Sequence, residues 1–176
     1  ALEGIDGAGK TTLIPQLLED LEAFGLRVAV VSSPGKTWTG RILKGCMAKI
    51  DQDRKNTLFI YDIRRTGRMI PHSADVVLWD RHLDSVVVSN GDGAEEEVKA
   101  LSAGIERPNA IIFLNIPLEV SWERESRNSD HPLDLEWLRS KHRRYSELLK
   151  ADETRDQRRF IVVDGTKSLN DVHRAV

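Results

Sequence analysis

Four short apolar runs punctuate the chain, at residues 27–32 (RVAVVS), 75–79 (DVVLW), 110–116 (AIIFLNI) and 159–163 (RFIVV). Each is rich in β-branched residues, and each is continuously apolar rather than alternating. That pattern predicts strands buried on both faces, as in a parallel sheet flanked by helices. Two longer stretches repeat every three to four residues instead. Over 10–24, Leu13, Leu17, Leu18 and Leu21 share a helical face, and Gly25 follows as a C′ residue. Over 134–149, Leu135, Leu138, Tyr145, Leu148 and Leu149 continue the same kind of pattern. Strand–helix alternation from end to end predicts a doubly wound α/β fold. Ligands of such folds sit beyond the carboxyl ends of the strands.

Composition narrows this picture. A chain of 176 residues without repeats, low-complexity tracts or Pro/Gly-rich linkers predicts a single domain over 1–176. Hydrophobic residues make up 40% and charged residues 31%, a globular balance. The net charge of −2 gives no general basic field for nucleic acid or a membrane surface, and neither is expected as a partner. No apolar run approaches the roughly 18 residues of a membrane span, and no signal peptide is expected. Cys46 is the only cysteine and the five histidines lack metal-ligand spacing, so a reducing, cytoplasmic setting is expected. The chain opens at Ala1-Leu2-Glu3, with too little room for a full first strand. The native protein is therefore expected to begin several residues earlier, and the helix reaching Val176 to be cut short.

Gly4-Ile5-Asp6-Gly7-Ala8-Gly9-Lys10-Thr11 satisfies G-x-x-x-x-G-K-[ST] in full. Glycines let the backbone fold around phosphates, so that successive N–H groups and a helix N-terminus point at the anion. Lys10 would bridge β- and γ-phosphates, and the Thr11 hydroxyl would ligate Mg²⁺. The plainer alternative is a glycine turn before a helix with an incidental lysine. Asp80 ends the apolar run 75–79 and is followed by Arg81 and His82. A carboxylate at the carboxyl end of a buried strand lies at the edge where such a loop opens, and would hold Mg²⁺ through water. Arg81 would grip an acceptor phosphate bidentately. Otherwise Asp80 caps the next helix and Arg81 pairs with a surface acid.

With these residues in view, the chain resembles the thymidylate kinase family. The segment 3–12, Asp6 included, is similar to that family's phosphate loop nearly letter for letter. Asp80-Arg81-His82 with Ser85 resembles its D-R-[YH]-x-x-S signature. Residues 108–117, Glu119 and Arg124 resemble its fourth strand and lid entry, and 141–148 (KHRRYSEL) and 160–165 its late helix and fifth strand. The resemblance implies a three-layer P-loop fold, with a parallel five-stranded sheet in the order 2-3-1-4-5 and helices on both faces. It also implies transfer of the ATP γ-phosphate to a nucleoside monophosphate, dTMP giving dTDP, with Mg²⁺ as cofactor and a homodimer as the assembly.

Position by position, the resemblance assigns ATP binding to Gly7, Ala8, Gly9, Lys10, Thr11 and Thr12, with Gly165 and Thr166 near adenine. Asp6 would contact the acceptor sugar's 3′-hydroxyl. Arg64, Arg81 and Ser85 would hold the acceptor. Members with glycine at the Gly7 position supply the catalytic cation from the lid, here about 124–134, which makes Arg124 and Arg127 candidates beside Lys10 and Arg81. The alternative for both lid arginines is a solvated helix face.

Several positions depart from the family pattern. A stacking phenylalanine gives way to Ile60, flanked by Phe59 and Tyr61, and either aromatic suits a core as well as a base platform. Where an amide or hydroxyl and then a tyrosine are usual near sugar and base, Val86 and Ser89 stand. Arg-Glu-Pro-Gly after the second strand becomes 32–35 (SSPG), and 128–134 lacks the arginine-rich lid stretch. These changes bear on the acceptor and leave the ATP loop intact. Two alternatives therefore remain: a kinase of the same fold with a changed acceptor, such as a modified nucleotide or a nucleoside, and a nucleotide-binding module without turnover. A phosphate acceptor is already mostly dianionic at pH 7 and requires no general base. A nucleoside hydroxyl would benefit from one, and Asp6 is the candidate.

Overall fold

The computed structural model describes residues 1–46, 51–90, 94–128, 134–154 and 159–176. Five strands, β1 (Leu2–Glu3), β2 (Val28–Ser32), β3 (Val76–Asp80), β4 (Ile111–Asn115) and β5 (Phe160–Asp164), form one all-parallel sheet in the order β2-β3-β1-β4-β5. The helices around it are α1 (Lys10–Ala23), α2 (Trp38–Cys46), α3 (Gln52–Arg68), α4 (Leu83–Asn90), α5 (Ala94–Leu101), α6 (Leu118–Asn128), α7 (Leu135–Glu153) and α8 (Leu169–Ala175). This is the order the resemblance implied. Every apolar run became a strand within a residue or two of its expected bounds, because short β-branched runs have few other ways to bury themselves. No helix among the described residues is long and apolar enough to cross a membrane.

Internal contacts group the chain into two units, residue 1 with 18–108 and residues 2–17 with 109–176. In the first, the end of α1 is set by Gly25, whose φ is +79°. Its N–H reaches the Glu22 carbonyl at 2.9 Å, and the Leu26 N–H reaches Leu21 at 3.2 Å. Only glycine enters that backbone region cheaply, so the helix stops where the sequence said it would. Strands β2 and β3 pair from Val28↔Val76 to Ser32↔Asp80. Ile60, Ile63, Leu83, Val86 and Val98 pack into one core joining α3, α4 and α5. Beside it, buried Asp62 fastens the loop after β2. Its carboxylate accepts from the Gly35 N–H at 2.7 Å, from Thr39 Oγ1 at 3.0 Å and from Thr37 Oγ1.

In the second unit β4 lies between β1 and β5, paired through Leu2↔Ile112 and Ile111↔Phe160. The Phe113 ring sits 5.1 Å from Tyr145 of α7 and 6.2 Å from Phe160. α7 begins at Asp134, whose side chain accepts the Trp137 N–H at 3.0 Å, an N-cap that satisfies one of the helix's open donors. The edge strands correct one expectation. Ile161 and Val162 of β5 are 51% and 53% exposed, and Val30 of β2 is 44% exposed. Continuous apolar character forecast burial on both faces, but an edge strand has a neighbour on one side only. The expected lid runs partly through residues 129–133, which lie outside the described residues.

Candidate active site

The loop between β1 and α1 is drawn tight by its own lysine. Lys10 opens α1, is 5% exposed, and donates to the carbonyls of Gly4 at 2.9 Å and Ile5 at 2.8 Å. An ammonium held inside a ring of backbone is a fixed positive charge in a cradle of N–H groups at a helix N-terminus. Gly7, with φ +72°, closes the turn. A Cβ there would stand 3.1 Å from the Ser121 carbonyl oxygen and 3.3 Å from the Arg124 Cβ. This chain therefore has room for glycine at that position and none for an arginine. Ala8 is buried beneath the loop, whereas Thr11 and Thr12 are exposed on the first turn of α1.

Helices α6 and α7 pin the loop from outside. Ser121 Oγ donates to the Asp6 carbonyl at 2.6 Å, and Lys141 Nζ lies 3.1 Å from Asp6 Oδ2. Arg124 places one guanidinium nitrogen on the Gly7 carbonyl and the other on Gly165, both at 3.1 Å. It thus joins the phosphate-type loop to the loop after β5. At Gly165 a Cβ would meet Ile116 Cγ2 at 2.8 Å, so the two loops approach too closely for a side chain. Thr166, next along, donates to Asp164 through its hydroxyl at 2.6 Å and its N–H at 3.0 Å, and these bonds hold the Asp164 carboxyl below its usual range. Arg127 lies on an exposed face of α6, paired with Glu123 one turn earlier. The structure thus brings Asp6, Gly7, Lys10, Arg124 and Gly165 together and leaves Arg127 outside that cluster.

A second group of candidates, in the first unit, surrounds the end of β3. Asp80 is its last residue, and the Asp80 carbonyl accepts the Ser33 N–H at 2.9 Å. Ser33 Oγ accepts the Trp79 indole N–H at 3.0 Å, so the loop after β2 is fastened to β3 beside the carboxylate. Arg81 follows with φ +69°, a left-handed conformation that costs a non-glycine residue about 1–2 kcal/mol and is retained chiefly where the surroundings impose it. Its Nη1 points along α4 to Ser85 Oγ at 3.4 Å, and Ser89 Oγ back-bonds to the Ser85 carbonyl at 2.8 Å. His82 packs edge-on against Trp79, 4.7 Å between centroids. Burial and then the positive Arg107 lower its pKa to about 4, which keeps the imidazole neutral at pH 7.

Three acceptor candidates lie on α3. Ile60 is 3% exposed within the α3–α4–α5 core, so its side chain packs inward rather than facing a ligand. Tyr61 is 46% exposed, its ring 6.3 Å from that of Trp38. Arg64 donates to the carbonyls of Leu101 at 2.9 Å and Ala103 at 3.0 Å, holding the loop after α5.

Sequence reasoning passed over Ser121, Lys141 and Asp62. Ser121 and Asp62 carry no local signal. Lys141 carries one: it stands with Leu138, Tyr145 and Leu148 on the apolar stripe of α7, where a charge needs a buried partner.

As metal ligands, the Thr11 hydroxyl and the Asp80 carboxylate are hard oxygen donors, the type Mg²⁺ prefers. No group of three His, Cys, Asp or Glu side chains suited to a metal occurs among the described residues. Each is the kind of donor that phosphate oxygens and water supplement where Mg²⁺ is held at phosphoryl-transfer sites.

The chain is similar to several known proteins along most of its length. The chain is 28% identical over 194 residues to the thymidylate kinase of Kosmotoga olearia, covering 100% of this chain and 91% of that one. It is 29% identical over 185 residues to a probable thymidylate kinase of Archaeoglobus fulgidus, with the same coverage. A 32% identity over 140 residues links it to the thymidylate kinase of Xanthomonas oryzae pv. oryzae, covering 75% of this chain and 62% of the relative. The sequence model of the family described as thymidylate kinase matches residues 2–176. This chain belongs to the thymidylate kinase family of nucleoside monophosphate kinases.

Proposed function

We propose that the protein transfers the γ-phosphate of ATP to dTMP, giving dTDP, as a single kinase domain over residues 1–176. The observation that carries this reading is the loop from Gly4 to Thr11, closed around the buried Lys10 ammonium in a chain the family model spans from residue 2 to 176. Neither a changed acceptor nor an inactive module is favoured by the family match.

Phosphoryl transfer asks chiefly for positioning and for neutralisation of spreading charge. The N–H groups around Gly7, Ala8 and Gly9 cradle the donor phosphates, and Lys10 lies along the β- and γ-phosphates. Thr11 and Asp80 would hold Mg²⁺, which when bound would neutralise phosphate charge and help orient the γ-phosphoryl group. Arg81, aimed by its left-handed backbone, takes the acceptor phosphate, with Ser85 beside it. Asp6 accepts the acceptor sugar's hydroxyl. Tyr61, Arg64 and Ser89 line the remaining acceptor side in this reading. Ile60 supports that wall from the core, and its contribution is packing. Arg124 fixes the nucleotide-side loops, and Arg127 stands as the lid's second cation. No base is needed, because the acceptor phosphate is already the nucleophile at pH 7. A homodimer and a cytoplasmic location belong to the same reading.

A coupled ATP assay over dTMP, dUMP, dCMP, UMP and thymidine tests it. The expected result is fastest turnover of dTMP. Turnover of thymidine with none of any monophosphate would overturn the acceptor assignment, and ATP binding without transfer to any acceptor would overturn the activity.

A further inference from the structure

A lysine buried on an apolar helix face asks for an explanation. Lys141 is 7% exposed, and its helical neighbours Leu138 and Tyr145 are 2% exposed each. Taking an ammonium out of water costs several kcal/mol unless it meets a well-placed partner. Lys141 meets such partners. Its Nζ stands 3.6 Å from the centre of the Trp137 ring and 3.1 Å from Asp6 Oδ2. A buried ion pair contributes little net stability compared with an apolar pair of similar shape. What such a pair does supply is a defined position for each charge.

That position matters because of where Asp6 lies. It precedes Gly7, a residue with φ +72°, in a loop built to bend. Its carbonyl is pinned by Ser121 Oγ at 2.6 Å, so the backbone is fixed from α6 while the carboxylate is fixed from α7. A carboxylate has two oxygens and about four lone-pair sites, so it can accept from a lysine and from a ligand hydroxyl together. A positive charge beside it also offsets the repulsion between Asp6 and the polyphosphate the same loop cradles.

We propose that Lys141, seated on the face of Trp137, is a positioning residue for acceptor recognition: it aims the Asp6 carboxylate at the acceptor's sugar hydroxyl. This rests on the reading of Asp6 given under the proposed function. It assigns to α7 a part in specificity, exercised through the phosphate loop and without contact to the reacting phosphates.

The test is steady-state kinetics with dTMP and with its 3′-deoxy analogue, which lacks the hydroxyl. The proteins are the wild type, Asp6→Asn, Lys141→Met and Lys141→Arg, each checked for melting temperature. A charge-assisted hydrogen bond corresponds to about tenfold or more in kcat/KM between the two acceptors. Wild type should show that preference and Asp6→Asn should lose it. Lys141→Met should lose it too, mainly through a raised KM for dTMP, with the KM for ATP changing less. Lys141→Arg, which keeps the cation, should retain most of it. If Lys141→Met keeps the wild-type preference while Asp6→Asn loses it, the inference fails and Asp6 stands. If Asp6→Asn keeps the preference, the reading of Asp6 fails and this inference with it. Should Lys141→Met not fold, Trp137→Leu removes the ring seat while leaving the ammonium. An undiminished preference in that variant would equally overturn the proposal.

Discussion

The Tyr145 hydroxyl donates a hydrogen bond of 2.8 Å to the Glu3 carboxylate, between a fully buried acid on β1 and a residue 142 positions later on α7. Glu3 immediately precedes the phosphate-type loop, so this bond sets the strand end from which the loop departs. A buried carboxylate that loses a donor retains its desolvation cost without the compensation. Tyr145→Phe is therefore expected to lower stability by about 1–3 kcal/mol, read as a reduced urea midpoint with unchanged m-value. A midpoint equal to wild type would show that Tyr145 acts through its ring alone.

Lys10→Ala and Arg81→Ala separate donor from acceptor. Both are expected to reduce transfer by about 10³-fold or more. Titration calorimetry with ATP should show weak binding for Lys10→Ala and near wild-type binding for Arg81→Ala. Transfer left intact in Arg81→Ala would remove that residue from the acceptor clamp.

Arg124 offers two mechanisms that kinetics can tell apart. Its guanidinium joins the carbonyls of Gly7 and Gly165, so Arg124→Met should loosen the nucleotide loops and raise the KM for ATP by roughly tenfold. The KM for dTMP should change little. A fall in kcat with an unchanged KM for ATP would instead identify Arg124 as the cation acting on the transferred group.

Gly7 is expected to tolerate no side chain. Gly7→Ala places a Cβ 3.1 Å from the Ser121 carbonyl oxygen in a left-handed conformation that costs about 1–2 kcal/mol. Calorimetry should record a lower melting temperature, and kcat/KM should fall with it. An active, equally stable Gly7→Ala protein would mean that the loop relaxes freely.

Chelation tests the oxygen donors. EDTA in excess should abolish transfer, with recovery on adding Mg²⁺. Asp80→Asn should shift the Mg²⁺ concentration needed for half-maximal rate upward, while Thr166→Ala should not. An Asp80→Asn protein with the wild-type requirement would exclude Asp80 as a metal ligand.

Local features of this chain are legible in its sequence, and contacts between distant partners are not. Chain chemistry alone determined the glycine-rich loop, the stop of α1 at Gly25, the strand ending in Asp80 and the helical stretch that became α7. All of these are local, fixed by backbone freedom and hydrophobic period within a few residues. Sheet order came from resemblance, since periodicity says nothing about which strands are neighbours. Only tertiary structure decided that Ile60 turns into the core, that Arg64 holds the carbonyls of Leu101 and Ala103, and that Lys141 meets Asp6 across 135 positions. A buried charge declares in sequence that it must find a counterpart; which counterpart depends on how helices and loops pack, and no local pattern encodes that.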